Sequence, residues 1–272
     1  MFRVFRKLAL YIGGMGLALV AFAQLRDVRP GFNLFSRDQD IQVGREAAAQ
    51  VERKMLVLRD RELTNYVTQI GRNLTRSPRA GGYPYTFRVV ADRNINAFSL
   101  PGGPVYINTG LILAADNEAQ LAGVMAHEIS HVALRHATNQ ASKSQLVRLP
   151  AMLAGAIAGN GLFGQLAQAG IGLGANSVLL KFSRTAESQA DYLGTQMMSE
   201  AGYNPIEMAR FFEKLEAQGS GRALQFLSDH PNPGNRVRAV EEEIRYLPRK
   251  SYGANTGEFL RERSLVAQLA GR

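Results

Sequence analysis

Residues 117–137 read NEAQLAGVMAHEISHVALRHA, and this stretch decides what kind of chain it is. Asp116 is a good N-cap, so the spacing predicts one long helix over about residues 117–138. His127 and His131 stand four residues apart, on one helical face about one turn from each other, so both imidazoles can reach a single zinc ion. Glu128 lies about 100° round the helix from His127, beside such a metal rather than on it. There it can take a proton from water held by the metal and later hand one to a leaving amine. The competing reading is a set of satisfied polar residues on a surface helix. The apolar flanks Leu121, Val124, Met125, Val132 and Leu134 argue against it, because buried polar groups need partners and a metal supplies one. His136, nine residues after His127, falls half a turn out of phase and reads as a surface or helix-end histidine.

The rest of the ligand set must come from elsewhere. The chain has 272 residues, no Cys and four His, so thiolate sites, iron–sulfur clusters and disulfides are excluded and any metal is held by His and carboxylates. A catalytic zinc takes three protein ligands and keeps one position open. Arg184, Glu187 and Asp191 share one face of a second expected helix, about residues 184–201. Glu187 can bind the metal, Asp191 can hydrogen-bond a ligand histidine and fix its tautomer, and Arg184 would pair with Asp191. An ordinary solvated charge stripe is the alternative, although Ala190, Leu193 and Met197 give the helix a core face.

Working outward, helical periodicity begins at Asp38 and again at Leu63, and Ser77-Pro78 and Gly81-Gly82 end the second helix. Residues 85–91, 96–100 and 105–108 read as strands, the last two flanking Pro101-Gly102-Gly103-Pro104. Asn204-Pro205-Ile206-Glu207 has the form of a capping box opening a helix to Gln218, and a last helix is expected from about Pro233 to Leu247. The whole is one α+β domain, mainly α-helical, with a small β-sheet beside the helix that carries the two histidines.

His127-Glu-x-x-His131 followed by Glu187-Ser-Gln-Ala-Asp191 resembles the gluzincin zinc metallopeptidases of family forty-eight, the HtpX-, BepA- and LoiP-like enzymes. Asn96-Ala-Phe-Ser-Leu-Pro-Gly-Gly-Pro-Val-Tyr-Ile-Asn108 and His230-Pro-Asn-Pro-Gly-Asn-Arg236 also resemble segments of that family, and the likeness runs from about residue 38 to 247. It implies a zincin-like metallopeptidase domain holding one Zn2+ per chain on His127, His131 and Glu187, with Glu128 as the base. It also implies an exported endopeptidase of protein quality control that hydrolyses misfolded or unassembled envelope proteins. HtpX-like members carry several membrane helices, BepA-like members a C-terminal helical-repeat domain, and LoiP-like members a lipid anchor on Cys; this sequence shows none of these.

Given that frame, the strand Val105-Tyr106-Ile107-Asn108 can pair an extended peptide by strand addition, or be an interior strand of the sheet. Asn96 can hydrogen-bond substrate or serve a turn. His230 can donate to an oxyanion, fill the open zinc position and hold the enzyme off, or cap the last helix. Arg236 can stabilise the same oxyanion or anchor the His230 loop.

The remaining segments concern location and partners. Arg3, Arg6 and Lys7, an uncharged run over residues 8–23 and Ala21-Phe22-Ala23 predict a signal peptide over residues 1–23, cleaved before Gln24 or retained as an anchor, and hence a periplasmic body. Residues 24–37 read as a linker, 38–247 as the peptidase domain and 248–272 as a polar tail ending in a short helix near Phe259 to Leu269. The uncharged, Gly-rich segment 149–180 joins the two metal-binding helices and reads as a movable lid rather than a membrane span. A net charge of +9 is scattered and accompanies no nucleic-acid module. The expected partners are therefore unfolded or misassembled polypeptides, with a membrane surface or the outer-membrane assembly machinery nearby. The alternative function is a chaperone or adaptor of envelope assembly with a latent or gated zinc site.

Overall fold

The structure is a computed structural model and describes residues 25–152, 182–218, 224–232, 234–253 and 256–270. The signal reading of residues 1–23, and the lid reading from residue 153 on, lie outside the described residues. Among those described, no helix is long and apolar enough to cross a membrane.

Helices α1 (Arg37–Lys54) and α2 (Arg61–Thr75) come first. Ser36 and Gln39 close a capping box at the start of α1, and the Asp60 side chain accepts from the Leu63 backbone N–H at the start of α2. Strands β1 (Thr86–Val90), β2 (Ala97–Ser99) and β3 (Pro104–Asn108) form a sheet of order β1-β3-β2. β3 runs parallel to β1, with Phe87 beside Val105 and Val89 beside Ile107, and antiparallel to β2, with Phe98 beside Tyr106. Both faces of β3 are covered, which is why its residues from Val105 to Asn108 are buried in succession instead of alternating. Tyr106 stacks on Phe98 over Ala47 and Val51 of α1, while Val105 and Ile107 enter the main core with Leu63, Val67 and Ile70 of α2.

After the short α3 (Thr109–Ala114) the chain enters α4 (Glu118–Ala133), the helix of the two histidines. Its N-cap is Asn117, whose side chain accepts from the Gln120 N–H, and not the expected Asp116. Nor does the helix reach residue 138. Arg135 has φ 58°, a left-handed conformation costing a non-glycine residue roughly 1–2 kcal/mol, and α5 (His136–Met152) starts anew after it. The guanidinium of Arg135 holds that turn by donating to Asp40 Oδ2 (2.6 Å) and to the carbonyl of Phe35.

Helix α6 (Arg184–Glu200) lies against α4, followed by α7 (Ile206–Gln218), α8 (Leu224–Asp229), α9 (Arg236–Ile244) and α10 (Thr256–Ala270). The expected helix over 233–247 is thus shorter, and the expected capping box is not formed as such: the Asn204 side chain accepts from the Ile206 N–H, while Glu207 takes hydrogen bonds from Asn117, Gln120 and Arg210. Two further expectations need correction. Residues 25–36 are not a loose linker: the Gln196 amide donates to the Arg26 carbonyl (3.0 Å), Leu34 N–H donates to Ser142 Oγ (2.9 Å), and Phe35 is buried. The helix expected near residues 259–269 forms as α10, but it is no polar tail, since Phe259 and Val266 are fully buried in the main core, against α2 and α3.

The α4–α6 crossing sets the site, and Gly194 is what lets it close. A Cβ there would meet the backbone of Ala126 and His127 at 3.3 Å. Gly194→Val should therefore wedge the helices apart and cost about 1–3 kcal/mol, read as a lower urea midpoint at unchanged m-value.

Candidate metal centre

Four buried side chains converge between these elements: His127 and His131 from α4, Glu187 from the first turn of α6, and His230 directly after α8. One ligand atom from each lies within 4.8 Å of all the others. His127 Nε2 is 3.0 Å from His131 Nε2, 3.2 Å from Glu187 Oε2 and 3.3 Å from His230 Nδ1. His131 Nε2 is 3.5 Å, and His230 Nδ1 3.3 Å, from Glu187 Oε1. Three ring nitrogens and a carboxylate thus point into one buried space, and Glu187 Oε2 has no hydrogen-bond partner there. Convergent nitrogen lone pairs with one carboxylate are what a divalent transition-metal ion needs, so the donor set fits the group.

The electrostatics point the same way. Burial works against a cationic His127, yet Glu187 and Asp191 overcome it and lift its pKa to about 9. His230 is raised as well, Glu187 and Glu128 outweighing its burial. Burial would push the Glu187 carboxyl up, but His230 and His127 hold it far below the usual carboxylate range. The negative potential that would retain protons on these rings is the one that would retain a divalent cation.

The orientation of each group is fixed from behind. His127 Nδ1 donates to Asp191 Oδ1 (2.9 Å), which leaves Nε2 free to ligate. Asp191, on the next turn of α6, is gripped by Arg236 at the start of α9, Nε to Oδ2 at 3.1 Å and Nη2 to Oδ1 at 2.7 Å. The same guanidinium reaches Glu187 Oε2 at 3.5 Å and packs over the Phe212 ring at 3.8 Å. Glu128 faces the other side: its Oε2 accepts from Ser99 Oγ on β2 (2.9 Å), and its Oε1 lies 3.2 Å from His230 Nε2. Burial raises its pKa, with His230, His127 and Ser99 pulling the other way. A carboxylate so balanced, beside but not among the ligands, can exchange a proton with a reactant at the metal.

Residues 59–244 match the model of peptidase family M48. The chain belongs to that family. Its similarities include the putative beta-barrel assembly-enhancing protease of Vibrio cholerae, 32% identical over 243 residues that make up 86% of this chain and 50% of the relative. The mitochondrial metalloendopeptidase OMA1 of Schizosaccharomyces pombe is 32% identical over 201 residues, 73% of this chain and 57% of that one. The metalloprotease LoiP of Escherichia coli is 30% identical over 189 residues, 68% and 70%. The chain spans about half the length of the β-barrel assembly-enhancing relatives.

Within this M48 domain several site residues sit otherwise than the sequence suggested. Arg184 opens α6 on its exposed side, and the arginine that Asp191 receives is Arg236, brought from 45 residues away by the fold. Arg236 is buried behind the cluster, turned toward Asp191 and Glu187, and what it anchors is Asp191. Val105, Tyr106, Ile107 and Asn108 cannot pair a peptide, because β3 is hydrogen-bonded to β1 on one side and β2 on the other. Asn96 is buried with its amide donating to Asp229 Oδ2 (2.9 Å), one residue before His230, so it steadies that segment instead of meeting substrate. His136 is neither a surface residue nor turned away: it is buried, with Nδ1 3.0 Å from His131 Nδ1, because the break at Arg135 swings it round. The sequence reading missed Ser99, although its alternation with buried Phe98 in β2 puts it on the opposite face of that strand.

Removing one partner of the Arg236–Asp191 pair strands a buried charge and frees the His127 ring. Asp191→Ala should weaken zinc binding by about 10–100-fold and lower stability by about 3–5 kcal/mol. Chelator competition and denaturant unfolding read the two effects separately.

Proposed function

We propose that this chain is a zinc-dependent endopeptidase that hydrolyses peptide bonds of misfolded or unassembled envelope proteins. The observation that carries the reading is Glu128: buried beside the His127–His131–Glu187 cluster, outside the ligand set, with its carboxylate aimed by Ser99. A binding module would have no use for a base held there. Zinc bound by His127, His131 and Glu187 would supply Lewis acidity, polarising the scissile carbonyl and acidifying water. Glu128 then takes the proton of the attacking water and returns it to the departing amine. Asp191 and Arg236 keep His127 in its ligating tautomer.

We assign substrate binding to β2, which is an edge strand of the sheet among the described residues and whose Ser99 touches Glu128. An extended segment added there would be recognised through its main chain, which suits unfolded polypeptides of varied sequence. The names of two relatives speak of β-barrel assembly, which supports β-barrel proteins under assembly as clients, and the charged, apolar N-terminus supports export to the periplasm, with the chain released or held at the membrane surface.

Glu128→Gln should keep about one zinc per chain and lose casein cleavage entirely, wild-type cleavage itself vanishing with chelator. Cleavage that survives the substitution, or a wild type without metal, would sink the assignment.

One observation favours a gated enzyme, the form closest to a chaperone with a latent site. His230 Nδ1 stands where a fourth ligand would, and its Nε2 faces Glu128, so the set is closed as in structural zinc sites. His230→Ala should then cleave casein faster than wild type at equal zinc content. A fall toward background would assign His230 to oxyanion stabilisation instead.

A further inference from the structure

The two histidine ligands are treated differently by the fold. His127 is oriented by a carboxylate, Asp191. His131 meets no carboxylate at Nδ1; its neighbour there is His136, Nδ1 to Nδ1 at 3.0 Å. The other nitrogen of His136, Nε2, lies 3.1 Å from Gln189 Oε1 on α6. His136 is buried, and Phe182 packs against it and stacks on His131, ring centroids 4.0 Å apart.

Two ring nitrogens at hydrogen-bond distance share a single proton, so one donates and one accepts. The metal end decides the choice, and Gln189 as it stands agrees with it. For His131 to offer Nε2 to a metal, its proton must sit on Nδ1. His136 Nδ1 must then accept, which puts the His136 proton on Nε2, and there the carbonyl oxygen of Gln189 accepts it. Reversing the chain would place a proton on His131 Nε2, in the middle of the ligand cluster, and would need the Gln189 amide turned over to donate.

We infer that His136, itself set by Gln189, is a positioning residue for the metal site: it accepts the Nδ1 proton of His131 and thereby fixes that ligand in the tautomer and orientation that present Nε2. The inference rests on reading the cluster as a zinc site, and deepens it. A neutral imidazole in place of a carboxylate makes His131 the less electron-rich of the two histidine ligands, and it ties the ligand to the first residue of α5 as well as to α6. The break at Arg135 gains a purpose here, since a continuous α4 would carry His136 away from His131.

The test is zinc affinity by chelator competition on the full chain, with melting of the metal-free protein alongside. His136→Leu should bind zinc about 10–100-fold more weakly. His136→Asn, whose Oδ1 falls near the position of the lost Nδ1, should recover most of that loss. Zinc-loaded wild type should show, by 15N NMR, His131 protonated on Nδ1 and His136 on Nε2. Wild-type affinity in a folded His136→Leu protein overturns the inference, as does equal weakening by Leu and Asn, which would mean packing alone. A His136 protonated on Nδ1 overturns it too. Should His136→Leu not fold, Gln189→Leu, at a half-exposed position, takes its place: a several-fold loss of affinity is expected, and an unchanged affinity overturns the inference. A wild type that holds no zinc instead defeats the underlying reading, which separates the two failures.

Discussion

A carboxylate sealed in a protein core must be matched by positive charge, and Glu187 is the place where that demand is greatest. Three imidazoles and the Arg236 guanidinium crowd round it, supplied by α4, by the segment after α8 and by α9. Those elements must therefore pack against one another closely, and the domain is arranged so that they do. Gly194 lets α6 approach α4 to backbone contact, and the Asp191–Arg236 pair ties α9 to the pair of helices. A bound divalent ion would complete the balance, which is why metal binding and folding are coupled in sites of this kind.

The reactive side of the cluster is built from a different layer. Ser99 reaches Glu128 from β2, and β2 is short because the chain turns at once through Pro101-Gly102-Gly103 into β3. Gly102 and Gly103 have φ of 75° and 132°, and a side chain at either would strike backbone, Ile41 in one case and Pro84 in the other. The turn thus packs β2 and β3 tightly under α1. Glu128, the proposed base, and β2, the proposed substrate edge, are joined through a single hydroxyl.

The two faces of the site also differ in polarity of support. Behind the ligands stand charged partners, Asp191 and Arg236, in a dry environment where their mutual attraction is strong. Beside His131 stand neutral ones, His136 and Gln189. Residues 25–36 bind this assembly from outside, touching α5 through Ser142, α6 through Gln196 and α9 through Glu243. A segment that reads as a linker thus clasps the helices that carry the site.

Much was legible in the linear order of residues because the chemistry is local. His127, Glu128 and His131 lie within five residues, and helical geometry alone puts both rings on one face. Glu187 and Asp191 are one turn apart on another helix, for the same reason. The three strands and the mainly helical class followed from alternation and period. What only the tertiary structure decided was every pairing across distance and every break in a helix. Asp191 takes Arg236 and not Arg184, because on a helix whose one face is buried Arg184 is left in water while the fold delivers another arginine to the core. β3 became the central strand, closed to substrate, since strand order depends on which edges the helices leave free. His136 turned inward through a single left-handed residue, which no period in the sequence encodes. Periodicity fixes which residues share a face; only packing fixes what that face meets.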